Sequence, residues 1–216
     1  MAKLKLAVLI SGRGSNLMAL MDACADAAYP AEIVVVVSHN PDAPGLAHAA
    51  KAGLPTLALN HRDYADRAAF DAVMTEAMET AGVELVCLAG FLRLLSEDFV
   101  AHWRDRLINI HPSLLPAFKG LEVQARAIAA GARFSGCTVH YVRHEMDVGP
   151  IVVQAVVPIH HNDDADALAA RILEQEHVIY PAAVKWIAEG RVRIDDERAL
   201  VDGVAAPKGA LINPLP

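Results

Sequence analysis

Short β-branched and leucine-rich runs alternate, in the first half of the chain, with segments whose apolar residues recur every third or fourth position. Residues 4–10 and 32–38 are the first two runs; between them, residues 16–28 carry Leu17, Leu20, Met21 and Cys24 at helical spacing. The pattern predicts strand, helix, strand. It continues with a helix over 45–52, a short strand over 55–59, a helix over 64–81 and a buried strand over 85–89. Strands joined by helices run parallel with right-handed crossovers, so this half reads as an open α/β sheet.

The carboxyl half changes character. Residues 137–142 and 151–159 are both strand-like, and the turn-rich stretch 143–150 between them predicts an antiparallel pair added to the sheet. A long amphipathic helix follows over 164–189, with Asn162 or Asp163 as its cap and Gly190 as its stop. Residues 191–195 and 199–201 read as a surface hairpin. The expected organisation is a single domain over residues 1–202 and a loosely held tail over 203–216.

With 19 Lys and Arg against 26 Asp and Glu, the net charge is −7, which does not favour a nucleic-acid or anionic-membrane surface. Cys24, Cys87 and Cys137 are far apart and show neither CxxC nor Cys/His ligand spacing, as expected in a reducing cytoplasm. No run approaches the roughly 18 apolar residues of a membrane span. His160 and His161 read as an exposed turn pair, so no metal is expected.

Two segments carry the chemistry. If residues 107–110 form a strand, the side chains of Asn109 and His111 project to one face while Ile110 enters the core. An amide and an imidazole then stand together at a strand's carboxyl end, where open α/β sheets bind ligands. These groups can hold an oxyanion and move a proton, which points to acyl transfer. Downstream, Asp147 lies on a Gly/Pro-flanked loop within His144-Glu145-Met146-Asp147-Val148-Gly149-Pro150 and supplies a carboxylate. The turn Ser11-Gly12-Arg13-Gly14-Ser15-Asn16 joins the first strand to the first helix; its small residues and the helix amino terminus suit a phosphate. Leu17 occupies the third glycine position of GxGxxG and Ser38-His39-Asn40 replaces a ribose-binding acid, disfavouring a nicotinamide cofactor. A monophosphate fits better.

Ile10 to Leu17, Leu88 to Leu95, Asn109 to Pro116, the Asp147 loop and Gln175-Glu176-His177-Val178-Ile179-Tyr180-Pro181 occur here in one order. Together they resemble the phosphoribosylglycinamide formyltransferases, the folate-dependent transformylases of purine synthesis. The resemblance covers nearly the whole chain. It implies a Rossmann-like formyltransferase fold, mostly parallel and twisted, with antiparallel strands in the carboxyl half. It also implies a cytoplasmic monomer or homodimer that takes a formyl group from 10-formyltetrahydrofolate to the amine of 5-phosphoribosylglycinamide by direct attack, through a tetrahedral intermediate. The co-substrate is the folate, without metal.

By the same resemblance, Asn109, His111 and Asp147 are catalytic, Asp147 favouring the protonated form of His111. Gly14, Ser15 and Asn16 hold the phosphate, while Asn109, Gln175 and Glu176 contact the rest of the ribonucleotide, Glu176 at the ribose hydroxyls. Leu92, Arg93, Leu94 and Leu95, together with Asn109, Arg143, His144, Glu145, Met146 and Asp147, line the pterin site. Arg67 is the partner expected for the folate glutamate tail. Glu122 and Gln124 stand where relatives often carry histidine, and Leu173 where several carry a polar residue near phosphate; Arg13 is the alternative source of positive charge. Formyltetrahydrofolate hydrolase, methionyl-tRNA formyltransferase and sugar-amine formyltransferases share the Asn, His and Asp arrangement. The first two are expected to carry an added amino-terminal or carboxyl-terminal domain, which favours the ribonucleotide enzyme.

Overall fold

In the first strand, β1 (Leu4–Ile10), alternate side chains enter two different cores. Leu6, Val8 and Ile10 pack with Leu17, Leu20, Leu168, Ile172 and Tyr180, whereas Ala7 and Leu9 pack with Phe70, Met74, Met78, Phe99 and Trp103. A strand apolar on both faces must be covered on both, and helices on each side supply that cover. The structure is a computed structural model that describes residues 2–214; residue 1 and the last two tail positions, 215 and 216, lie outside the described residues.

The chain continues through α1 (Ser15–Ala25), β2 (Ala31–Ser38), α2 (Pro44–Lys51), β3 (Thr56–Ala58), a 3₁₀ turn (His61–Asp63), α3 (Arg67–Thr80), β4 (Leu85–Leu88) and α4 (Glu97–His102). Then follow β5 (Leu107–His111), α5 (Val123–Ala129), β6 (Phe134–Tyr141), β7 (Ile151–Pro158), α6 (Ala165–Ala188), β8 (Val192–Asp195) and β9 (Arg198–Val201). The sheet order is β3-β2-β1-β4-β5-β6-β7, parallel through β5 and antiparallel for the last two pairings. The expected sheet is therefore the observed one. The strand order reverses between β1 and β4, so the loops after these strands meet at the sheet's carboxyl edge.

Some local expectations are corrected. The cap of α6 is Asp164, whose side chain accepts the Ala167 N–H at 2.8 Å. Asp163, one of the two expected caps, is instead engaged by both terminal nitrogens of Arg171 at 2.7 and 2.8 Å and by the His160 N–H. Neither α4 nor α5 was marked by the apolar pattern. Both are short, and α4 is started by Ser96, whose hydroxyl accepts the Phe99 N–H. The carboxyl tail has no regular structure from residue 203 to 212, and the Asn213 amide donates to the Arg133 and Ile159 carbonyls at 2.6 and 3.1 Å.

The long helix is tied to the centre of the sheet by one buried hydroxyl. Tyr180 is fully buried, and its O–H donates to the Leu88 carbonyl at 2.9 Å, where β4 ends beside β5. Tyr180→Phe keeps the ring and removes the donor, so the expected cost is about 1–2 kcal/mol of unfolding free energy. Urea denaturation checks this: the midpoint falls while the slope stays native, and an unchanged midpoint would mean the hydroxyl contributes nothing.

Candidate active site

β5 continues the two-faced logic of the sheet until its end, where polar residues replace apolar ones on one face only. Leu107 joins the core under α3 and α4, Ile108 and Ile110 join the core under α6, and Asn109 and His111 follow Leu107 by the two-residue period. The antiparallel register sets Asn109 opposite His140 and His111 opposite Thr138. Four polar side chains thus share one face across two strands. Asn109 donates from Nδ2 to His140 Nε2 at 3.4 Å, and His140 Nδ1 donates to the Tyr141 carbonyl at 3.0 Å. That second bond fixes the tautomer, leaving Nε2 as the acceptor that orients the Asn109 amide. The other amide hydrogen and the amide oxygen of Asn109 stay available. Thr138 Oγ1 donates to the Ser113 carbonyl at 2.7 Å and accepts the Leu115 N–H at 3.1 Å, bracing the turn after β5.

The structure brings Asn109, His111 and Asp147 together, as the sequence reading expects. His111 is 5% exposed. Its Nδ1 lies 3.4 Å from Asp147 Oδ1, and its Nε2 lies 3.1 Å from the Phe118 carbonyl. Both ring nitrogens therefore face oxygen acceptors, an arrangement that an imidazolium satisfies at both atoms. The other Asp147 oxygen accepts the Gly120 N–H at 2.7 Å. Asp147 itself has φ +52°, a left-handed conformation that aspartate tolerates better than most residues. The segment 116–121 therefore lies over the pair, through one carbonyl and one amide.

A second cluster surrounds the turn after β1. Gly14 caps α1 with φ +76°, and no side chain caps the helix, so its first N–H groups point out of the turn. Gly45 lets α2 approach: a Cβ there would sit 2.5 Å from Ile10 Cδ1 and 3.2 Å from Gly14 Cα. Asn16 and Glu176 are both buried and meet directly, Asn16 Nδ2 donating to Glu176 Oε2 at 2.6 Å. Burial raises the Glu176 carboxyl above its ordinary range, partly offset by this hydrogen bond. Gln175 is half-buried beside it on α6, and Leu173 is half-buried one turn away from Glu176 on the same helix.

Ser11, His39 and His140 were not singled out for a role by sequence reasoning. Ser11 Oγ accepts the Leu92 N–H at 2.8 Å and pairs with His39 Nε2 at 2.8 Å, joining the turn after β1 to the segment after β4. Burial, then His61 and Arg93, lower the His39 pKa from its ordinary value. His140 lies within the predicted strand 137–142, but the antiparallel pairing of that strand with β5, and with it the register that sets His140 against Asn109, is a finding of the structure.

The remaining expected residues fall into two groups. Leu92, Leu94 and Met146 expose apolar side chains, with Leu95 half-buried between them and α4. Arg93 turns its guanidinium over the Phe70 ring at 4.9 Å, Arg143 is engaged by Glu197 and Asp105, and His144 pairs with Glu97 at 2.8 Å. Glu145 is exposed. Arg67 opens α3, exposed and outside the ion pairs found among the described residues.

An open α/β sheet that sets an amide and an imidazole at the end of β5, one strand away from where its order reverses, with a carboxylate against the imidazole, has the groups that acyl-group transfer uses. The chain belongs to the formyl transferase family, whose model matches residues 4–184. Within that family it is 41% identical over 209 residues to phosphoribosylglycinamide formyltransferase of Haemophilus influenzae, covering 97% of this chain and 99% of that one. The crystal structure of glycinamide ribonucleotide transformylase 1 from Symbiobacterium toebii superposes with a TM-score of 0.90 at 44% identity, covering 92% of this chain and 94% of that one. The trifunctional purine biosynthetic protein adenosine-3 of Drosophila melanogaster is 49% identical over 195 residues, or 89% of this chain. The chain spans only 14% of that relative's length.

Burial pushes the His140 pKa from 6.5 down to about 4, keeping the ring neutral and its Nε2 an acceptor for Asn109. The unfolded chain takes up a proton near pH 6.5 that the folded chain refuses until about 4. Stability from the neutral ring is therefore fully present above 6.5 and is lost as pH falls through that window. His140→Gln removes this uptake. Unfolding free energies measured across the window should fall less steeply in the variant, and an equal slope would assign the acid sensitivity to other groups.

Proposed function

We propose that the chain transfers the formyl group of 10-formyltetrahydrofolate to the amine of 5-phosphoribosylglycinamide, with Asn109, His111 and Asp147 as the catalytic residues. The observation that carries this reading is the shared face of Asn109 and His111 at the end of β5, with Asp147 against the imidazole. The full-length likeness to the Haemophilus influenzae phosphoribosylglycinamide formyltransferase supports the substrate.

The amine attacks the formyl carbon and the carbonyl oxygen takes up negative charge. Asn109 Nδ2–H and His111 Nε2–H donate to that oxygen in the tetrahedral intermediate, where their hydrogen bonds are stronger than in the ground state. For His111 this means exchanging the Phe118 carbonyl for the substrate oxygen. Asp147 stabilises the imidazolium and takes part in passing the amine proton, through water, toward folate N10 as the carbon–nitrogen bond breaks. The products are the formamide and tetrahydrofolate, and no covalent enzyme intermediate is required.

The turn of Gly14, Ser15 and Asn16 receives the phosphate through backbone N–H groups at the start of α1, with Glu176 and Gln175 toward the ribose. Leu92 to Leu95 and residues 143–147 border the pterin, and Arg67 meets the glutamate tail. We assign the reaction to the cytoplasm. The three unpaired cysteines are consistent with a reducing compartment. Among the described residues, no helix is long and apolar enough to cross a membrane.

The reading is tested by folate turnover with and without the amine. Purified protein should form tetrahydrofolate from 10-formyltetrahydrofolate when glycinamide ribonucleotide is present and little when it is absent. Equal turnover in both reactions would identify a formylfolate hydrolase, and formylation of methionyl-tRNA would exclude the ribonucleotide as the acceptor class.

The phosphate assignment has its own test. Ser15→Asp suits the helix dipole but sets a carboxylate beside the substrate anion, so the fold persists while ribonucleotide binding weakens. The Kd for the ribonucleotide should rise by roughly tenfold or more, while that for the folate changes by less than about twofold. Calorimetric titration of both ligands decides it, and equal losses, or none, would move the phosphate elsewhere.

A further inference from the structure

Arg143 begins the loop that carries Asp147, and its side chain is only 10% exposed. Each guanidinium nitrogen is engaged away from the pair formed by His111 and Asp147. Nε donates to Glu197 Oε2 at 2.6 Å, Nη2 to Asp105 Oδ1 at 2.8 Å and Glu197 Oε1 at 3.4 Å, and Nη1 to the Val142 carbonyl at 3.1 Å. Glu197 also accepts from Arg104 Nη2 at 2.5 Å. Two guanidinium groups and two carboxylates thus form one connected network.

Glu197 belongs to the turn of the β8–β9 hairpin, between the paired residues Asp195 and Arg198. Asp196 and Glu197 have φ of +46° and +58°, the left-handed pair typical of a tight two-residue hairpin turn. Val192, Ile194, Ala199 and Val201 pack against the core beneath α6, so the turn stands on a fixed base. At the other end of the network, the Arg143 N–H donates to the Val148 carbonyl at 3.2 Å and the Tyr141 N–H to the Pro150 carbonyl at 2.9 Å. These bonds close the neck of the loop. A displacement of Arg143 therefore reaches Val148, the neighbour of Asp147, across one hydrogen bond.

Isolated surface ion pairs hold little, but a nine-tenths-covered guanidinium whose nitrogens all donate, within a network of several charges, can hold a geometry. The Arg143 hydrogen bond keeps the Glu197 carboxyl below its usual range.

We propose that the β8–β9 hairpin is part of the active-site scaffold, with Glu197 a positioning residue that acts through Arg143 on Asp147. The inference rests on the reading of Asp147 as a catalytic residue. A shift of Asp147 by a fraction of an ångström alters the distance to His111 Nδ1 and leaves the ribonucleotide contacts, on α1 and α6, unmoved.

The test compares Glu197→Gln, Arg143→Met, the double variant and Asp147→Asn, each checked for fold by circular dichroism and thermal midpoint. Glu197→Gln should lower kcat roughly tenfold with the KM for glycinamide ribonucleotide within about twofold of native. Its ¹⁵N-edited His111 ring signals should move, a change that lost stability alone does not produce. The double variant should be no worse than Arg143→Met alone, because the two residues act in series. Native kcat and native His111 signals in Glu197→Gln, alongside an Asp147→Asn loss on the order of a hundredfold, would overturn the hairpin's role while keeping that of Asp147. Near-native turnover in Asp147→Asn would instead remove the reading beneath it. If Glu197→Gln does not fold, Arg143→Lys, which keeps the charge but lacks the fork, should lose kcat with the same KM pattern; native kcat there overturns the proposal.

Discussion

The antiparallel pairing of β6 with β5 is the constraint on which the site depends. It pairs Asn109 with His140 and His111 with Thr138, so that four polar side chains share one face of two adjacent strands. A slip of one residue would turn Cys137, Val139 and Tyr141 toward the cleft and drive Thr138 and His140 into the core beneath α6. The hydrophobic effect therefore enforces the register that the chemistry needs. The β6–β7 connection leaves the sheet beside the start of β5, where the Val142 N–H donates to the Leu107 carbonyl, and folds back so that Asp147 reaches His111.

Burying this many polar atoms is costly unless each has a partner, and the partners do the positioning. His140 gives its one proton to the Tyr141 carbonyl, which leaves a lone pair to hold the Asn109 amide. Thr138 both gives and accepts, fixing the turn through Ser113 and Leu115, and Gln154 from β7 donates to the same hydroxyl at 2.9 Å. Ser11 performs the equivalent task between the turn after β1 and Leu92. The residues placed to touch substrate thus rest on others whose hydrogen-bonding capacity is spent inside the protein.

Periodicity made the central features legible in the sequence. The two-residue repeat of β5 is enough to set Asn109 and His111 on one face, and apolar runs broken by helical spacing are enough for the parallel sheet. What periodicity does not contain is pairing across long separations. Nothing in residues 134–141 alone tells which of them faces Asn109, and nothing near Arg143 tells that Glu197, 54 positions later, will engage its guanidinium. Short helices fail for a related reason: α4 and α5 bury only Phe99 and Val100, and Val123 and Ala127, too few positions to impose a period. The cap of α6 was displaced by one residue because Asp163 found a better partner in Arg171, a tertiary contact that outweighs local preference.

The segment over His111 and Asp147 follows the same economy. His111 and Asp147, 7% and 11% exposed in their side chains, would be costly if left without partners, and the Phe118 carbonyl and Gly120 N–H satisfy them. In the proposed reaction a substrate oxygen arriving at His111 Nε2 replaces one acceptor with another, so the exchange costs far less than stripping a hydrogen bond from a buried group. By that mechanism the gain comes only as charge develops, because a carbonyl of the chain never becomes an oxyanion and a reacting formyl oxygen does. The proposed mechanism thus asks of the imidazole now satisfied by Phe118 a stronger bond in the transition state, which is the condition for a buried hydrogen bond to accelerate a reaction.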